Sequence, residues 1–307
     1  MKLNVSKVKF DEAAHTYDLD GKPLSGITSL IHQVLNLGVY PEASDFVKHV
    51  AIPRAGEYGS SIHKAIELYD ELGIKQTLYP GNFGTWEVSD ELESYIKAKQ
   101  GYKTIANEYT VSDNVRYASQ IDNVWLNEET NGVWIFDTKS NNLKYYPGGE
   151  EALKEYLSWQ ESIYAYLFER QNPGIKVEGL GCNWLREGES KQWIIERKPD
   201  EQVELLLSVE WIKTDCGFVY DGADVAAKLI GTAVVEQPKH ELLAQAIVQQ
   251  IFQVEKAAKE AEAISKELRV KLREAMENAG VKSWDAELFK ATISADSVST
   301  TFDTARF

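Results

Sequence analysis

Apolar and polar positions alternate through residues 104–140, a pattern rich in Val, Ile, Tyr and Trp that predicts three successive β-strands. Polar residues 128–131 separate the last two strands, which should therefore form a hairpin. If this segment is the loop, Asp122 lies directly opposite Asp137, with the two Cβ atoms roughly 5 Å apart. A two-residue turn at Asn131-Gly132 would give a slanted pairing on the same face.

Apolar positions repeat with helical spacing in three other segments. The clearest helix covers residues 150–170, and Asn172-Pro173-Gly174 should end it, because the residue before a proline is driven out of the helical conformation. A second helix is predicted from about Gly59 to Leu72, with Gly73 as its stop signal. A third helix is predicted over residues 88–100.

Shorter elements are predicted on both sides of these segments. The first is a small hairpin turned at Asp20-Gly21, followed by a helix that is capped near Ser25 or Thr28. A second hairpin should be joined through Gly188-Glu-Ser, and a short helix should follow it. The strands of this hairpin are Val177–Arg186 and Gln192–Arg197, and the helix runs from about Asp200 to Lys213.

A long charged helix is predicted from about residue 239 to Ala279. It carries one apolar seam, formed by Ile251, Val254, Ala258, Ala261, Leu268, Leu272 and Ala275. Such a seam needs a surface to cover it. It either packs on the rest of the chain, docks another protein, or joins copies of the chain in an oligomer.

The order strand, strand, helix, strand, strand favours an α/β fold in which helices flank a mixed β-sheet. We expect one domain over residues 1–215 and a mainly helical C-terminal extension over residues 216–307, with its long amphipathic helix at about 240–279. The length of 307 residues and the hydrophobic content of 43% allow a substantial core.

Composition limits the location and the chemistry of the chain. No run of about 18 apolar residues occurs, and the opening Met1-Lys-Leu-Asn-Val lacks the apolar core of a signal peptide, so we expect a cytoplasmic protein. Cys182 and Cys216 are the only cysteines, which excludes a four-cysteine zinc or iron–sulfur site. Any metal must therefore be held by oxygen and nitrogen ligands.

The net charge of -15 argues against a general affinity for nucleic acid, because nonspecific binding depends on clustered Lys and Arg. It does not exclude a DNA-binding groove. A local basic lining together with a bound metal can attract phosphate while the remaining surface is acidic. Lys and Arg are scattered along the chain, so the sequence does not locate a path for DNA.

The predicted hairpin carries the most distinctive polar side chains of the chain. Asp137 and Lys139 share one face of their strand, and Asp122 joins them from the neighbouring strand. Two carboxylates and an ammonium at the end of a sheet are what a divalent metal and an activated water require. A lone Asp-x-Lys would indicate a surface salt bridge, but the paired Asp122 favours a metal site.

The helices on either side of this hairpin carry further candidates. His63 and Glu67 lie one turn apart, after the small residues Gly59-Ser60-Ser61, which would let a strand or a DNA backbone approach closely. Gln160 and Tyr164 also lie one turn apart. Taken alone, His63 would be a hydrogen-bonded core histidine and Tyr164 a packed aromatic; their positions next to the hairpin favour functional roles.

Four segments resemble, in order, the motifs of the RecB-like PD-(D/E)XK nucleases: Gly59-Ser60-Ser61-Ile62-His63, Ile121-Asp122, Asp137-Thr138-Lys139 and Gln160-Glu-Ser-Ile-Tyr164. The resemblance covers roughly residues 15–200. Ile121 stands where the family pattern has proline, but this change removes no reacting group. His15-Thr-Tyr17 and the closing residues Thr301–Phe307 are also similar to lambda-exonuclease-like phage recombination exonucleases.

The resemblance implies a restriction-endonuclease-like fold and hydrolysis of phosphodiester bonds with Mg²⁺, for which Mn²⁺ can substitute, and without an iron–sulfur cluster. The implied metal ligands are His63, Asp122, Asp137 and the Thr138 carbonyl. The implied catalytic residues are Asp122, Asp137, Lys139, Gln160 and Tyr164. Lys139 would orient the attacking water and help to deprotonate it, and Gln160 and Tyr164 would fix the DNA end or the lysine. Glu67 would support the ligands or act as an extra metal ligand. The candidate DNA contacts are Ser60, Ser61, Arg54 and Lys144.

We therefore expect a DNA exonuclease that acts on linear double-stranded DNA in phage or prophage recombination, in the cytoplasm of a bacterial host. Its implied partners are double-stranded DNA, a single-strand annealing recombinase and further copies of the chain. Two alternatives stay open. One is a structure-specific endonuclease of the same family, and the other is an inactive acidic interaction module, for which the charge of -15 speaks. The intact set of Asp122, Asp137 and Lys139 favours an enzyme.

Overall fold

The computed structural model describes seven stretches of the chain: residues 1–12, 14–39, 50–214, 217–230, 265–286, 289–293 and 298–302. The chain divides into two compact units. One consists of Met1–Lys213 and Phe218–Gln237, and the other of Thr214–Gly217 and Pro238–Phe307. The candidate functional residues all belong to the first unit.

Eight strands of the first unit form one mixed sheet, so the predicted α/β class is confirmed. The strands are β1 (Lys9–Asp11), β2 (Thr16–Leu19), β3 (Lys22–Gly26), β6 (Tyr102–Ser112), β7 (Tyr117–Asn127), β8 (Val133–Lys139), β9 (Val177–Arg186) and β10 (Glu189–Ile195). A separate hairpin is formed by β4 (Leu78–Gly81) and β5 (Gly84–Glu87). The three strands predicted between residues 104 and 140 are β6, β7 and β8.

The central strand β7 holds the sheet together and also divides it. Along one side it pairs with β6 in antiparallel fashion from Ala118 to Asn127. On the other side it pairs in parallel with β3 at Tyr117 and Ala118. Further along the same side it pairs in antiparallel fashion with β8 from Asn123 to Leu126. Between these two pairings, residues 119–122 have neither β3 nor β8 as a partner, so a gap opens in the sheet. We call this gap the fork of the sheet.

The loop that was predicted between β7 and β8 is confirmed. Leu126 pairs with Val133, and the Asn127 amide donates a hydrogen bond of 2.9 Å to the Gly132 carbonyl, which leaves residues 128–131 as the loop. The Asn127 side chain closes this loop by accepting hydrogen bonds from the amides of Glu129 and Thr130. The pairing register is therefore the one that directs Asp122 towards Asp137.

The helices of the first unit are α1 (Ile27–Val34), α2 (Ile52–Leu72), α3 (Ser89–Ala98), α4 (Gly149–Gln171), α5 (Asp200–Leu207) and α6 (Ala223–Ile230). Helix α4 is the central one, since it packs against β6, β8 and β9 on one side and against α1 and α5 on others. Every residue from Tyr156 to Ala165 is buried. The helix is thus enclosed on all of its faces, which fixes the side chains that it turns towards the sheet.

Alternation along β8 separates two apolar cores. Val133 and Ile135 pack into the larger core together with α4. Trp134 and Phe136 belong to the smaller core with residues of α2 and α3, where Phe136 lies 4.2 Å from Trp125 between ring centroids. The four side chains thus lie on alternate faces of β8, which brings helices to both sides of the strand that ends at Lys139.

Several predicted boundaries were wrong, and in each case a local backbone preference decides the outcome. Helix α1 is capped by Gly26 rather than by Ser25 or Thr28. Helix α2 begins at Ile52, seven residues before Gly59, because Pro53 in its first turn fits a helix start. Its predicted end is confirmed, since Gly73 adopts a left-handed conformation with a φ of 69°.

The second hairpin turns earlier than predicted. Glu187 and Gly188 have φ values of 51° and 81°, and Arg186 pairs with Glu189. These residues form a tight two-residue turn, so β10 starts at Glu189 instead of Gln192. The helix predicted to run from Asp200 to Lys213 ends at Leu207, and its predicted second half is strand β11 (Glu210–Thr214), which pairs with β12 (Gly217–Asp221).

The described part of the second unit contains more than helix. Residues 265–278 are helical, and they are followed by a three-stranded antiparallel sheet of β13 (Ser283–Ala286), β14 (Phe289–Ile293) and β15 (Val298–Phe302). The sheet was not predicted. The N-terminal part of the predicted apolar seam, from Ile251 to Ala261, lies outside the described residues. Within the part of the chain that the structure covers, no helix is long and apolar enough to cross a membrane.

The burial of α4 predicts where the fold is most sensitive. Replacing the fully buried Ile163 with Ala should lower the free energy of unfolding by about 2–5 kcal/mol, because a cavity remains in the larger core. The matched control is Ile194→Ala on β10, where the side chain is 67% exposed and the loss should stay below about 1 kcal/mol. Urea unfolding of both variants measures the difference, and equal losses would contradict the arrangement of the core.

Candidate active site

The fork in the sheet exposes Asp122 and gives its carboxylate a structural contact. The backbone pairing between β7 and β8 ends at Asn123 and Phe136, one position before Asp122. From there the Thr138 amide donates a hydrogen bond of 2.8 Å to Oδ2 of Asp122. The Asp122 side chain thus accepts a hydrogen bond that the backbone of β7 would otherwise accept from β8. Strands β7 and β8 separate at this position.

Helix α2 brings His63 to the same point. Its Nε2 lies 3.1 Å from the Thr138 carbonyl, to which it donates, and its Nδ1 lies 3.7 Å from Oδ2 of Asp122. The close approach depends on Gly59, since a Cβ at this position would be only 3.1 Å from Oγ of Ser140. Gly59 therefore allows the helix to pack against the chain directly after β8.

Glu108 on β6 is the main residue that we did not predict. Its Oε1 lies 3.7 Å from Nδ1 of His63. The pairing of Asn107 with Asn123 and of Tyr109 with Ile121 puts Glu108 across from Asp122. Its φ of 45° is unusual for a residue inside a strand, and such strain is typical of functional sites. The carboxylate of Glu108 at the position across from Asp122, which only the β6–β7 register identifies, was the available signal.

Asp137 and Lys139 form an ion pair at the end of β8. Nζ of Lys139 lies 2.6 Å from Oδ2 of Asp137, which confirms that the two side chains share a face. Asp137 is almost fully buried, and its neighbour on β9 is the buried Cys182. The carboxylate therefore has little access to water, and Lys139 is its nearest cation.

The loop after β8 is fixed from behind by side chains of β9. Nη1 of Arg186 donates a hydrogen bond of 2.8 Å to the Ser140 carbonyl, and Nε1 of Trp184 donates one of the same length to the Asn141 carbonyl. These contacts hold the chain directly beyond Lys139. The backbone next to the Lys139 ammonium is thus held in place by two side chains of β9.

Charge is crowded at this site, and the pKa values respond to it. Burial alone would lower the pKa of His63, but the negative charges of Asp122 and Glu108 raise it to about 9. Burial raises the pKa of Asp122, and burial together with the charge of Asp122 raises the pKa of Asp137 to about 6. Burial opposes the charge of Lys139, yet Asp137 and Asp122 raise its pKa well above the usual range. Both cations are therefore charged at neutral pH.

Three of these side chains could hold a divalent cation. One ligand atom each from His63, Glu108 and Asp122 lies within 4.8 Å of the other two. A pocket of about 10 Å³ opens between them, which is about the space that one water-sized sphere needs. Two carboxylates and an imidazole suit Mg²⁺ or Mn²⁺, and a ligating His63 would keep its Nε2–H on the Thr138 carbonyl, as metal-bound histidines usually do.

This arrangement differs in two respects from the predicted ligand set. Asp137 is not part of the three-residue cluster, because its carboxylate is turned to Lys139. Thr138 lines the small pocket, and in the structure its carbonyl accepts the hydrogen bond from His63, so that it orients one of the three ligands. Glu108 takes the third position in the cluster. Glu67 also borders the small pocket, next to the three ligands.

Gln160 and Tyr164 come together on α4, as their spacing predicts. Nε2 of Gln160 donates a hydrogen bond of 3.0 Å to the Tyr164 hydroxyl, and Oγ of Ser119 lies 3.4 Å from the same hydroxyl. Both side chains are buried, yet they line the cleft that contains Asp122, Asp137 and Lys139. Burial and the nearby Asp137 raise the pKa of Tyr164 well above its usual range, so this hydroxyl stays protonated.

The four candidate DNA contacts are distributed unevenly. Ser60 is exposed and lines the cleft. Ser61 is buried, and its hydroxyl donates a hydrogen bond of 2.8 Å to the Glu57 carbonyl within the helix, so it does not face the cleft. Arg54 packs over the Trp86 ring at 5.6 Å, and Lys144 over the Tyr145 ring at 5.3 Å; neither lines the cleft.

Two comparisons with known proteins give no match: no protein-family model matches the chain, and neither does any curated protein.

The protonated state of His63 predicts how metal binding depends on pH. An imidazolium cannot ligate through Nδ1, so a metal must displace its proton. Because the pKa of His63 is about 9, Mn²⁺ affinity should rise by up to about tenfold per pH unit between pH 6.5 and 8, with proton release. Calorimetry in two buffers of different ionisation enthalpy measures both quantities. Mn²⁺ binding that releases no proton and does not change with pH would contradict the site.

A buried carboxyl behind the site predicts a second pH effect. Glu161 on α4 is fully buried, and burial, together with the charge of Asp137, raises its pKa well above the ordinary value of 4.5. The folded protein therefore keeps a proton that the unfolded chain loses above about pH 4.5, so wild-type stability falls as the pH rises. Glu161→Gln mimics the protonated form, and its stability advantage should grow from pH 5 to pH 8. Thermal unfolding across this range checks it; a constant difference would contradict a protonated Glu161.

Proposed function

We propose that this chain is a metal-dependent deoxyribonuclease that hydrolyses phosphodiester bonds, with linear double-stranded DNA as its substrate. The observation that carries the proposal is the combination of two groups at the fork of the sheet. The ligand cluster of His63, Glu108 and Asp122 and the ion pair of Asp137 with Lys139 line one cleft. A metal-binding group beside a fixed cation suits a reaction that builds up negative charge on a phosphate.

The fold is consistent with this proposal. Antiparallel strands β6, β7 and β8 are followed by the buried helix α4 and by β9, which is parallel to β8. We interpret this mixed sheet as restriction-endonuclease-like, in agreement with the resemblance of its motifs to RecB-like PD-(D/E)XK nucleases. Asp122 lies at the fork in the middle of β7 and Asp137 near the end of β8, where both helices α2 and α4 can add side chains.

His63, Glu108 and Asp122 would hold Mg²⁺ or Mn²⁺. Asp137 would add a further ligand through a carboxylate oxygen that faces the cleft. A bound divalent cation would lower the pKa of a coordinated water and neutralise phosphate charge. The protein residues prepare this site beforehand. The Thr138 amide fixes the carboxylate of Asp122, and the Thr138 carbonyl fixes the ring of His63.

Lys139 would act as a cation beside the metal ligands. Asp137 and Asp122 raise its pKa well above the usual range, so without a bound metal it is charged at neutral pH. The ammonium would orient the attacking water and stabilise the oxygens of the reacting phosphate. Asp137 holds the ammonium in place at 2.6 Å.

Gln160 and Tyr164 would position the substrate. The hydrogen bond between them fixes the Tyr164 hydroxyl, which stays a donor at neutral pH. A donor at the wall of the cleft can bind a phosphate oxygen next to the scissile bond. This role fits their burial better than proton transfer does.

The distinction between exonuclease and endonuclease needs a direct experiment. Purified protein is incubated with Mg²⁺ and equal amounts of linear duplex and covalently closed circular DNA, with EDTA as the metal-free control. We expect progressive loss of the linear DNA and intact circles. Equal cleavage of the circles would contradict the exonuclease and favour the endonuclease alternative. No cleavage with either Mg²⁺ or Mn²⁺ would contradict a nuclease and favour an acidic binding module.

Substitutions at the carboxylates test the site itself. Asp122→Asn, Asp137→Asn and Glu108→Gln should each lower the cleavage rate by more than about a hundredfold, because they remove charge that binds the metal or holds Lys139. The matched control is Asp90→Asn, an exposed position on α3 that should keep full activity. Thermal unfolding verifies that every variant is folded. Unchanged activity of Glu108→Gln would contradict its place in the cluster.

A further inference from the structure

The N-terminal hairpin supplies an aromatic wall to the candidate active site. Phe10, His15 and Tyr17 line the same cleft as Asp122 and Lys139. The rings of Phe10 and His15 meet edge to face with centroids 5.2 Å apart, and Phe10 lies 4.9 Å from Tyr17. Tyr17 is buried and Phe10 half-buried, whereas His15 is exposed. The aromatic group therefore has a packed base and an open face.

His15 occupies a turn position whose backbone conformation favours glycine. Its φ of 53° lies in the left-handed region, where glycine is favoured and another residue is strained. The turn between β1 and β2 is fixed by other means, since Oδ1 of Asp11 accepts a hydrogen bond of 2.9 Å from the Ala14 amide. Glycine would serve the backbone here, so the exposed ring itself is what the position provides. Strain of this kind is typical of residues that contact a ligand.

The charges of the cleft argue for contacts to bases rather than to many phosphates. Among the described lining residues, the permanent cations are Lys64 and Lys139, and the carboxylates are Glu12, Glu67, Glu108, Asp122 and Asp137. Two lysines can neutralise few phosphates, so counterion release contributes little affinity. Stacking of a base on an aromatic side chain contributes about 1–3 kcal/mol and tolerates any sequence.

We infer that Phe10, His15 and Tyr17 form a stacking platform for an unpaired base at the end of the DNA strand that is cleaved. This inference rests on the proposed nuclease function and specifies its substrate as a strand whose terminal base has left the duplex. The cleft volume of about 730 Å³ is in the range of pockets for single small ligands, about 300–1,000 Å³. A single nucleotide therefore fits in the cleft, and a base on the platform would lie apart from its partner strand.

A chain of side chains connects the platform to the reacting groups. Tyr17 is hydrogen-bonded to Ser119, and Oγ of Ser119 lies 3.4 Å from the Tyr164 hydroxyl. Tyr164 in turn accepts the hydrogen bond from Gln160. A base that stacks on the exposed face of His15 is therefore positioned relative to the donor that would bind its phosphate, and this relation sets which phosphodiester bond lies over the metal ligands.

The platform is tested with a duplex that carries 2-aminopurine as the terminal base of the cleaved strand. Binding is followed by fluorescence with the Asp137→Asn protein, and cleavage is followed with wild-type catalytic residues. The variants are Phe10→Ala, His15→Ala, His15→Gly and His15→Phe. The control is Phe83→Ala, a 38% exposed phenylalanine that lies outside the cleft. Thermal unfolding accompanies each variant.

We expect 2-aminopurine fluorescence to be quenched on binding, and Phe10→Ala and His15→Ala to lose the quenching. Their KM should rise about tenfold with little change in kcat, because stacking binds the substrate and its transition state alike. His15→Phe should restore both quantities. His15→Gly should relieve the backbone strain and keep or raise the thermal stability, yet raise KM as His15→Ala does, which a merely structural role would not produce.

The failure of this inference can be told apart from the failure of the proposed function. If the wild-type protein cleaves DNA and the platform variants keep its KM and its quenching, the platform is overturned and the nuclease stands. If the wild-type protein cleaves nothing in Mg²⁺ or Mn²⁺, the nuclease is overturned, and the fluorescence still reports whether the rings bind a base. A Phe83→Ala effect equal to that of Phe10→Ala would also overturn the platform.

Discussion

The hydrogen bond from the Thr138 amide to the Asp122 carboxylate is the contact on which the site depends. It replaces a backbone hydrogen bond between β7 and β8, and so it lets the sheet open at the point where both strands carry acidic residues. On the other side of the fork, β3 pairs with the start of β7 and also with β2. It thereby holds the N-terminal hairpin, which carries Phe10, His15 and Tyr17, next to the opening. The gap of residues 119–122 thus gives a cleft whose walls are strands and helices, which position side chains more firmly than loops do.

The electrostatics of the fork follow from the same geometry. Glu108, Asp122 and Asp137 are brought together in partly or fully buried positions, where His63 and Lys139 are the cations that contact them among the described residues. Burial raises the pKa values of the two aspartates, and the carboxylates raise those of the two cations. A divalent cation in the small pocket would balance the charge of Glu108 and Asp122 in place of the proton on His63. The arrangement is thus costly for folding and useful for binding a metal, which is a common compromise at functional sites.

Much of this could be predicted from the sequence because it depends on local rules. The alternation in β8, the spacing of Gln160 and Tyr164, and the loop at residues 128–131 follow from strand and helix periods, and the structure agrees with each. The start of α2 and the turn at Glu187-Gly188 were predicted incorrectly. Pro53 favours the earlier helix start, and the left-handed conformations of Glu187 and Gly188 set the turn. Glu108 was missed for another reason. Its role depends on a strand register and on an unusual φ, and neither follows from periodicity.

The central claim is that His63, Glu108 and Asp122 bind one divalent cation at the fork of the sheet. The most direct measurement is anomalous diffraction from crystals of the protein grown or soaked with Mn²⁺. The account predicts an anomalous peak in the small pocket, about 2.1 Å from Nδ1 of His63 and from one carboxylate oxygen each of Glu108 and Asp122. A fully occupied peak elsewhere with this pocket empty, or no peak at millimolar Mn²⁺, would contradict it.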